Sequence, residues 1–180
     1  MEALGIVPTE GRGSLPYALV HGESLVAAAS WALSTAGVEL FDYSVPFAAV
    51  QDAESALVLH DPLCPLTPTG FIEEAVEDCE RTGAVVVGVR PVTDTVKEYD
   101  GSRLGATLDR DGLVCVTSPV VLPATVVAAL DGLDTDDFAA LVAELSQRFP
   151  VRHLPAPALG RRIVGEADLE ILVALSRASG

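Results

Sequence analysis

The run Ala84-Val85-Val86-Val87-Gly88-Val89 has no alternating polar face, and a strand that is apolar on both sides must be covered on both sides. Leu4 to Pro8 and Ser55 to His60 (with Ala56-Leu57-Val58-Leu59 inside it) are shorter runs of the same kind. Segments of helical periodicity lie between them. Glu23 to Ala36 aligns Leu25, Ala28, Ala29 and Leu33, and Thr69 to Thr82 aligns Phe71, Ala75, Val76 and Cys79. Further helices are expected over Pro123 to Leu130, Asp136 to Phe149 and Glu166 to Ser176. Short strands are expected over Leu113 to Val116, Val151 to Leu154 and Arg162 to Val164. Trp31 and Phe71 are read as core positions of their helices. Strands alternating with helices predict an α/β fold: a Rossmann-like, mostly parallel sheet with helices on both faces. Ligands in such folds bind beyond the carboxyl ends of the strands, which puts attention on Pro8 onward, Asp61 onward and Pro91 onward.

One segment does not fit a core. Val96 to Asp100 and Ala106 to Asp109 are short polar strands around Gly101-Ser102-Arg103-Leu104-Gly105. They predict a hairpin with a loop of about five residues, projecting from the body. The chain of 180 residues suits a single domain spanning 1–180.

The formal net charge of −15 argues against a broad surface for nucleic acid or anionic membrane. It leaves room for a small phosphate ligand, which needs only a few local cations. The longest apolar stretch, Leu25 to Leu33, falls far short of the ~20 residues of a membrane span. Met1-Glu2-Ala3 lacks the basic start of a secretory leader, so a cytoplasmic location is expected. Cys64, Cys79 and Cys115 show no CxxC spacing, and an odd count suits a reducing compartment. His60 and Cys64 share a loop with no third or fourth metal ligand nearby, so the thiol reads as incidental.

Six ordered segments resemble a known family. Ile6-Val7-Pro8-Thr9-Glu10-Gly11-Arg12-Gly13-Ser14-Leu15-Pro16-Tyr17 is a strand followed by a Gly-rich loop; His60-Asp61-Pro62-Leu63-Cys64-Pro65-Leu66 follows the second strand. Then come Pro91-Val92-Thr93-Asp94-Thr95-Val96-Lys97-Glu98 closing at Thr107-Leu108-Asp109-Arg110, Ser118-Pro119-Val120, Thr135-Asp136-Asp137, and Arg162 ahead of Glu166-Ala167-Asp168-Leu169. In this order they are similar to the 2-C-methyl-D-erythritol 4-phosphate cytidylyltransferases of non-mevalonate isoprenoid synthesis.

The resemblance implies the nucleotide-diphospho-sugar transferase type of fold, with residues about 93–111 as a dimerisation arm. It implies transfer of a cytidylyl group from CTP to methylerythritol phosphate with release of pyrophosphate, helped by Mg²⁺ where the nucleotide site works. Carried over residue by residue, it makes Arg12 and Arg162 catalytic cations. Gly11, Gly13 and Ser44 line the nucleotide, and Asp61, Thr95, Arg110 and Ser118 the substrate. Thr95 and Arg110 would be donated across a homodimer, or to a competent paralogue in a heterodimer. Several positions depart from the family. Tyr17 stands at a Lys position, and a phenol is neutral near pH 7. Glu10 puts a carboxylate in the loop, and Cys64 replaces an Arg. The stretch between the first helix and Ser44 has room for one strand where the family has a strand, a helix and another strand. These departures imply weak or lost transfer, with a non-catalytic partner or a binder of another phosphorylated metabolite as alternatives. Plainer readings stand beside these: Asp61-Pro62 as a turn, Thr95 and Arg110 as hairpin stabilisers, Arg162 as a strand-end cation, Arg12 as a solvent-exposed side chain, and Tyr17 packed under the loop.

Overall fold

The computed structural model describes residues 3–42 and 44–178. A six-stranded sheet runs in the order β10-β6-β9-β5-β1-β4. Its members are β1 (Ala3–Ile6), β4 (Val38–Leu40), β5 (Ala56–Leu59), β6 (Val85–Pro91), β9 (Val114–Leu122) and β10 (Val151–Pro155). The pairs β1–β4, β1–β5 and β6–β10 are parallel. Only β9 is reversed against both neighbours, so the expectation of a mostly parallel sheet holds.

The alternation of β6 explains the two layers. Val85, Val87 and Val89 join one core with Leu57, Leu59, Val120 and Leu122, under α2 (Phe47–Asp52), α4 (Ala124–Ala128) and α5 (Phe138–Arg148). Val86 faces the other way, with Val58 and Val121, under α1 (Leu25–Thr35) and α3 (Thr69–Thr82). A third cluster joins Val20, Leu25, Leu63 and Ile163 to Leu172 of α6 (Glu166–Ala178). Two two-stranded sheets stand outside the main one: β2 (Leu19–Val20) with β3 (Glu23–Ser24), and β7 (Lys97–Tyr99) with β8 (Leu104–Thr107).

The projecting hairpin is therefore real as a structure. Every residue of β7 and β8 is exposed. Two other expectations fail for physical reasons. The strand expected to stop at Val116 continues through Ser118-Pro119 to Leu122. Proline has no N–H for a ladder, but the β6–β9 register shifts between Val87 and Val89, opposite this segment. Gly88 permits the approach, since a Cβ there would lie 2.8 Å from the Ser118 carbonyl oxygen. Arg162 to Val164 forms no strand. The segment is pinned by one bond, the Ile163 N–H donating to the Leu63 oxygen at 2.8 Å, and by burial of Ile163.

Candidate functional site

The loop between β1 and the turn at Leu15–Tyr17 crosses the carboxyl end of the sheet. Gly11 holds φ at +71°, and a Cβ there would sit 3.0 Å from Asp136 Cβ. The loop therefore lies against the start of α5. Asp137 caps that helix, accepting from the N–H groups of Ala139 and Ala140, as an acidic N-cap should.

Arg12 is buried, contrary to the exposed reading. Its Nε donates to Asp61 Oδ1 at 2.8 Å, Nη1 to the Glu10 oxygen at 2.6 Å, and Nη2 to the Thr135 oxygen at 2.9 Å. The guanidinium also lies 5.1 Å from the Phe138 ring centroid, a cation–π distance. Asp61, just past β5, is 2% exposed. Its Oδ1 also accepts from the Leu63 N–H at 3.0 Å, and its Oδ2 accepts Arg162 Nε at 2.8 Å. Burial pushes the Asp61 carboxyl up, but the charges of Arg12 and then Arg162, with the bonds from Arg162 and Leu63, outweigh it and hold the group below its ordinary range. A buried carboxylate survives as an ion only with such partners.

Beneath this pair lies a neutral network. The Asp61 N–H donates to Ser118 Oγ at 2.9 Å, and Ser118 Oγ lies 2.5 Å from His60 Nδ1. Ser118 Oγ and His60 Nδ1 share this bond, and the imidazole tautomer decides which of the two donates. The buried Nε2 has no hydrogen-bond partner among the described residues. Burial lowers the His60 pKa to about 4, against the opposing pull of Asp61, so the ring is neutral near pH 7. Cys64 is fully buried, and burial, then the Asp61 charge, pushes its thiol well up. It is no thiolate nucleophile.

Of the residues expected to form a site, the structure joins Arg12, Asp61, Ser118 and Arg162. Gly11 and Gly13 flank Arg12 in the loop. Ser44 is exposed and its N–H donates to Asp42 Oδ1; no hydrogen bond ties it to this cluster. Thr95 and Arg110 are exposed on the hairpin, where Arg110 Nη1 donates to the Thr93 oxygen. Tyr17 does not pack under the loop; it is 61% exposed. Trp31 is 70% exposed and lines an apolar cavity of about 870 Å³, so it is no core residue. Sequence reasoning missed His60 as the partner of Ser118, and Thr135 and Phe138 as the seat of Arg12. The match at Thr135-Asp136-Asp137 marked the segment but not its contact with the loop.

No family model matches the chain. Two curated relatives are cytidylyltransferases for 2-C-methyl-D-erythritol 4-phosphate. That of Rhodococcus jostii is 35% identical over 133 residues, 71% of this chain and 57% of the relative. That of Frankia casuarinae is 33% identical over 131 residues, 71% of this chain and 48% of the relative. The chain is a divergent relative of the 2-C-methyl-D-erythritol 4-phosphate cytidylyltransferases. It spans about half the length of these two relatives. Among solved structures, the Thermus thermophilus cytidylyltransferase superposes with a TM-score of 0.72 at 24% identity, covering 98% of this chain and 100% of that one. That likeness bears out the α/β fold. Within it, β4 is the single described strand between α1 and Ser44.

Proposed function

We propose that the chain binds a small phosphorylated polyol, of the kind named for its relatives, at Arg162, and transfers a cytidylyl group weakly or not at all. The free edge of Arg162 carries this reading. Its Nε is held by Asp61, its side chain is 36% exposed, and its Nη1 and Nη2 make no hydrogen bond to a described residue. An end-on guanidinium edge suits a phosphate monoester. The exposed hairpin, with Tyr99 68% and Leu104 72% exposed, favours a partner over it. That partner is a second copy or a related chain, into whose site Thr95 and Arg110 would reach.

The nucleotide side supports only weak transfer. A triphosphate needs several cations or a metal to offset its charge. No Lys or Arg occurs between Arg12 and Arg81, and Arg12 is spent on Asp61 and two carbonyls. Tyr17 offers a neutral phenol in place of an ammonium, a loss worth about 10²–10³ in rate where such a group faces developing charge. Mg²⁺, if it serves a bound nucleotide, would draw its ligands mainly from phosphates and water. Both Asp61 oxygens are engaged by guanidinium groups, and no cluster of three or more His, Cys, Asp or Glu among the described residues suits a metal. Pyrophosphate release from CTP and methylerythritol phosphate tests the reading: it predicts a rate at least about a hundredfold below that of the Rhodococcus jostii relative. A comparable rate would overturn it.

A further inference from the structure

Arg12 occupies the place of a loop cation, yet its side chain is buried and its guanidinium is taken up by protein acceptors. Three of its nitrogens bond to three different segments: Asp61 after β5, the Glu10 carbonyl in the loop itself, and the Thr135 carbonyl before α5. Its Cζ lies over the Phe138 ring, 5.1 Å from the centroid. With its side chain 1% exposed, it has no surface to offer a ligand. Asp61 is shared between two arginines, Oδ1 to Arg12 and Oδ2 to Arg162, both at 2.8 Å. A carboxylate held on Oδ1 by Arg12 and the Leu63 N–H has its rotation fixed, and that fixes the direction of Oδ2. Arg162 Nε then follows, and the guanidinium plane with it.

Two other arginines that the fold ties down show why this matters for the ligand. Arg161 is paired with Asp168 at 3.2 Å, and Arg90 Nη1 donates to the Ala156 and Pro157 carbonyls. Of these three arginines, only Arg162 has both Nη groups without a hydrogen bond to a described residue.

We propose that Arg12 is a positioning residue that acts through Asp61 to aim the free edge of Arg162 at a single anionic group. The proposal rests on the anion-site reading above for its functional meaning, but not for its geometry. It confines the ligand to one charge centre, a phosphomonoester rather than a polyphosphate. An arginine is required at position 12, because three donations to separate segments come from three nitrogens of one rigid fork, and a lysine has a single nitrogen.

The test is a double-mutant cycle with two readouts. The first is the side-chain Nε–H resonance of Arg162 by NMR, which is sharp and slowly exchanging when Nε is held by Asp61. The second is affinity for glycerol 3-phosphate. Arg12→Gln should broaden the Arg162 resonance and weaken glycerol 3-phosphate by about tenfold. In an Asp61→Asn background, the same change should weaken it less than about twofold, since the route through Asp61 is already cut. Arg12→Lys should behave like Arg12→Gln. Phe138→Leu, which removes the ring and leaves all charges, should loosen the Arg162 resonance in the same direction if Arg12→Gln fails to fold. Tripolyphosphate should bind wild type no more tightly than glycerol 3-phosphate.

An unchanged Arg162 resonance in folded Arg12→Gln overturns the proposal, as does an equal loss of affinity in both backgrounds. If wild type binds no glycerol 3-phosphate while the resonance still answers to Arg12, the anion-site reading fails and the positioning role stands. If binding depends on Arg162 but is indifferent to Arg12, the reverse holds.

Discussion

Acid should destabilise this protein through one buried imidazole. His60 is fully buried, hydrogen-bonds Ser118 through Nδ1, and is held neutral, with its pKa lowered from 6.5 to about 4 by burial. The unfolded chain binds a proton at this residue near pH 6.5, and the folded one only near pH 4. Between those values the unfolded state carries the extra proton, so stability falls as pH falls through this window. The contribution is complete above about pH 6.5 and amounts to roughly 3 kcal/mol when fully lost. Between pH 7.5 and pH 5, about 2 kcal/mol of it should disappear. Many carboxylates also titrate in a chain with 26 Asp and Glu, so the measurement is a difference. Urea unfolding of wild type and His60→Asn at both pH values isolates the residue. Asn keeps a hydrogen-bonding group that can face the Ser118 hydroxyl in either role but does not titrate. The variant should be less stable at pH 7.5, yet lose about 2 kcal/mol less than wild type on going to pH 5. Parallel losses in the two proteins would refute the argument and mean that His60 is hydrated or charged in the fold.

Other perturbations follow from the same geometry. Asp61→Ala strands a buried guanidinium at Arg12 and should cost about 3–5 kcal/mol in denaturant unfolding, while an exposed surface acid should cost little. Gly11→Ala meets both a φ of +71° and Asp136 Cβ at 3.0 Å. It should lower stability by about 1–3 kcal/mol, measurable by thermal melting. Tyr17→Lys restores an ammonium beside the loop and should strengthen CTP binding by calorimetry, with no change in fold by circular dichroism. No gain in affinity would mean that Tyr17 does not stand where the phosphates would lie.

The frame of this molecule was legible in its sequence because burial on two faces leaves a pattern. The valines of β6 alternate between two cores, and nothing but a covered strand accommodates such a run. The hairpin was legible for the opposite reason: its residues are too polar to be inside. The failures are equally physical. The strand expected over Leu113 to Val116 runs on through Ser118-Pro119, where a register shift opposite the proline removes the need for a ladder bond. Trp31 reads as a core position of its helix, but six residues past Leu25 is about two-thirds of a turn from the buried face of α1. The site was half legible. Arg12, Asp61, Ser118 and Arg162 could be named one by one, but their pairing spans 101 positions between Asp61 and Arg162. No local pattern encodes that. The role of Arg12 in particular depended on what lay behind it, which was Phe138 and the Thr135 carbonyl.

The division between a retained anion site and a spent nucleotide loop is the central claim, and paired calorimetric titrations test it most directly. Methylerythritol phosphate should bind wild type and be lost in Arg162→Ala, while CTP with Mg²⁺ should give no measurable heat of binding at the same concentrations. Tight CTP binding, with or without methylerythritol phosphate, would contradict the account and show that the loop holds a triphosphate without a free cation of its own.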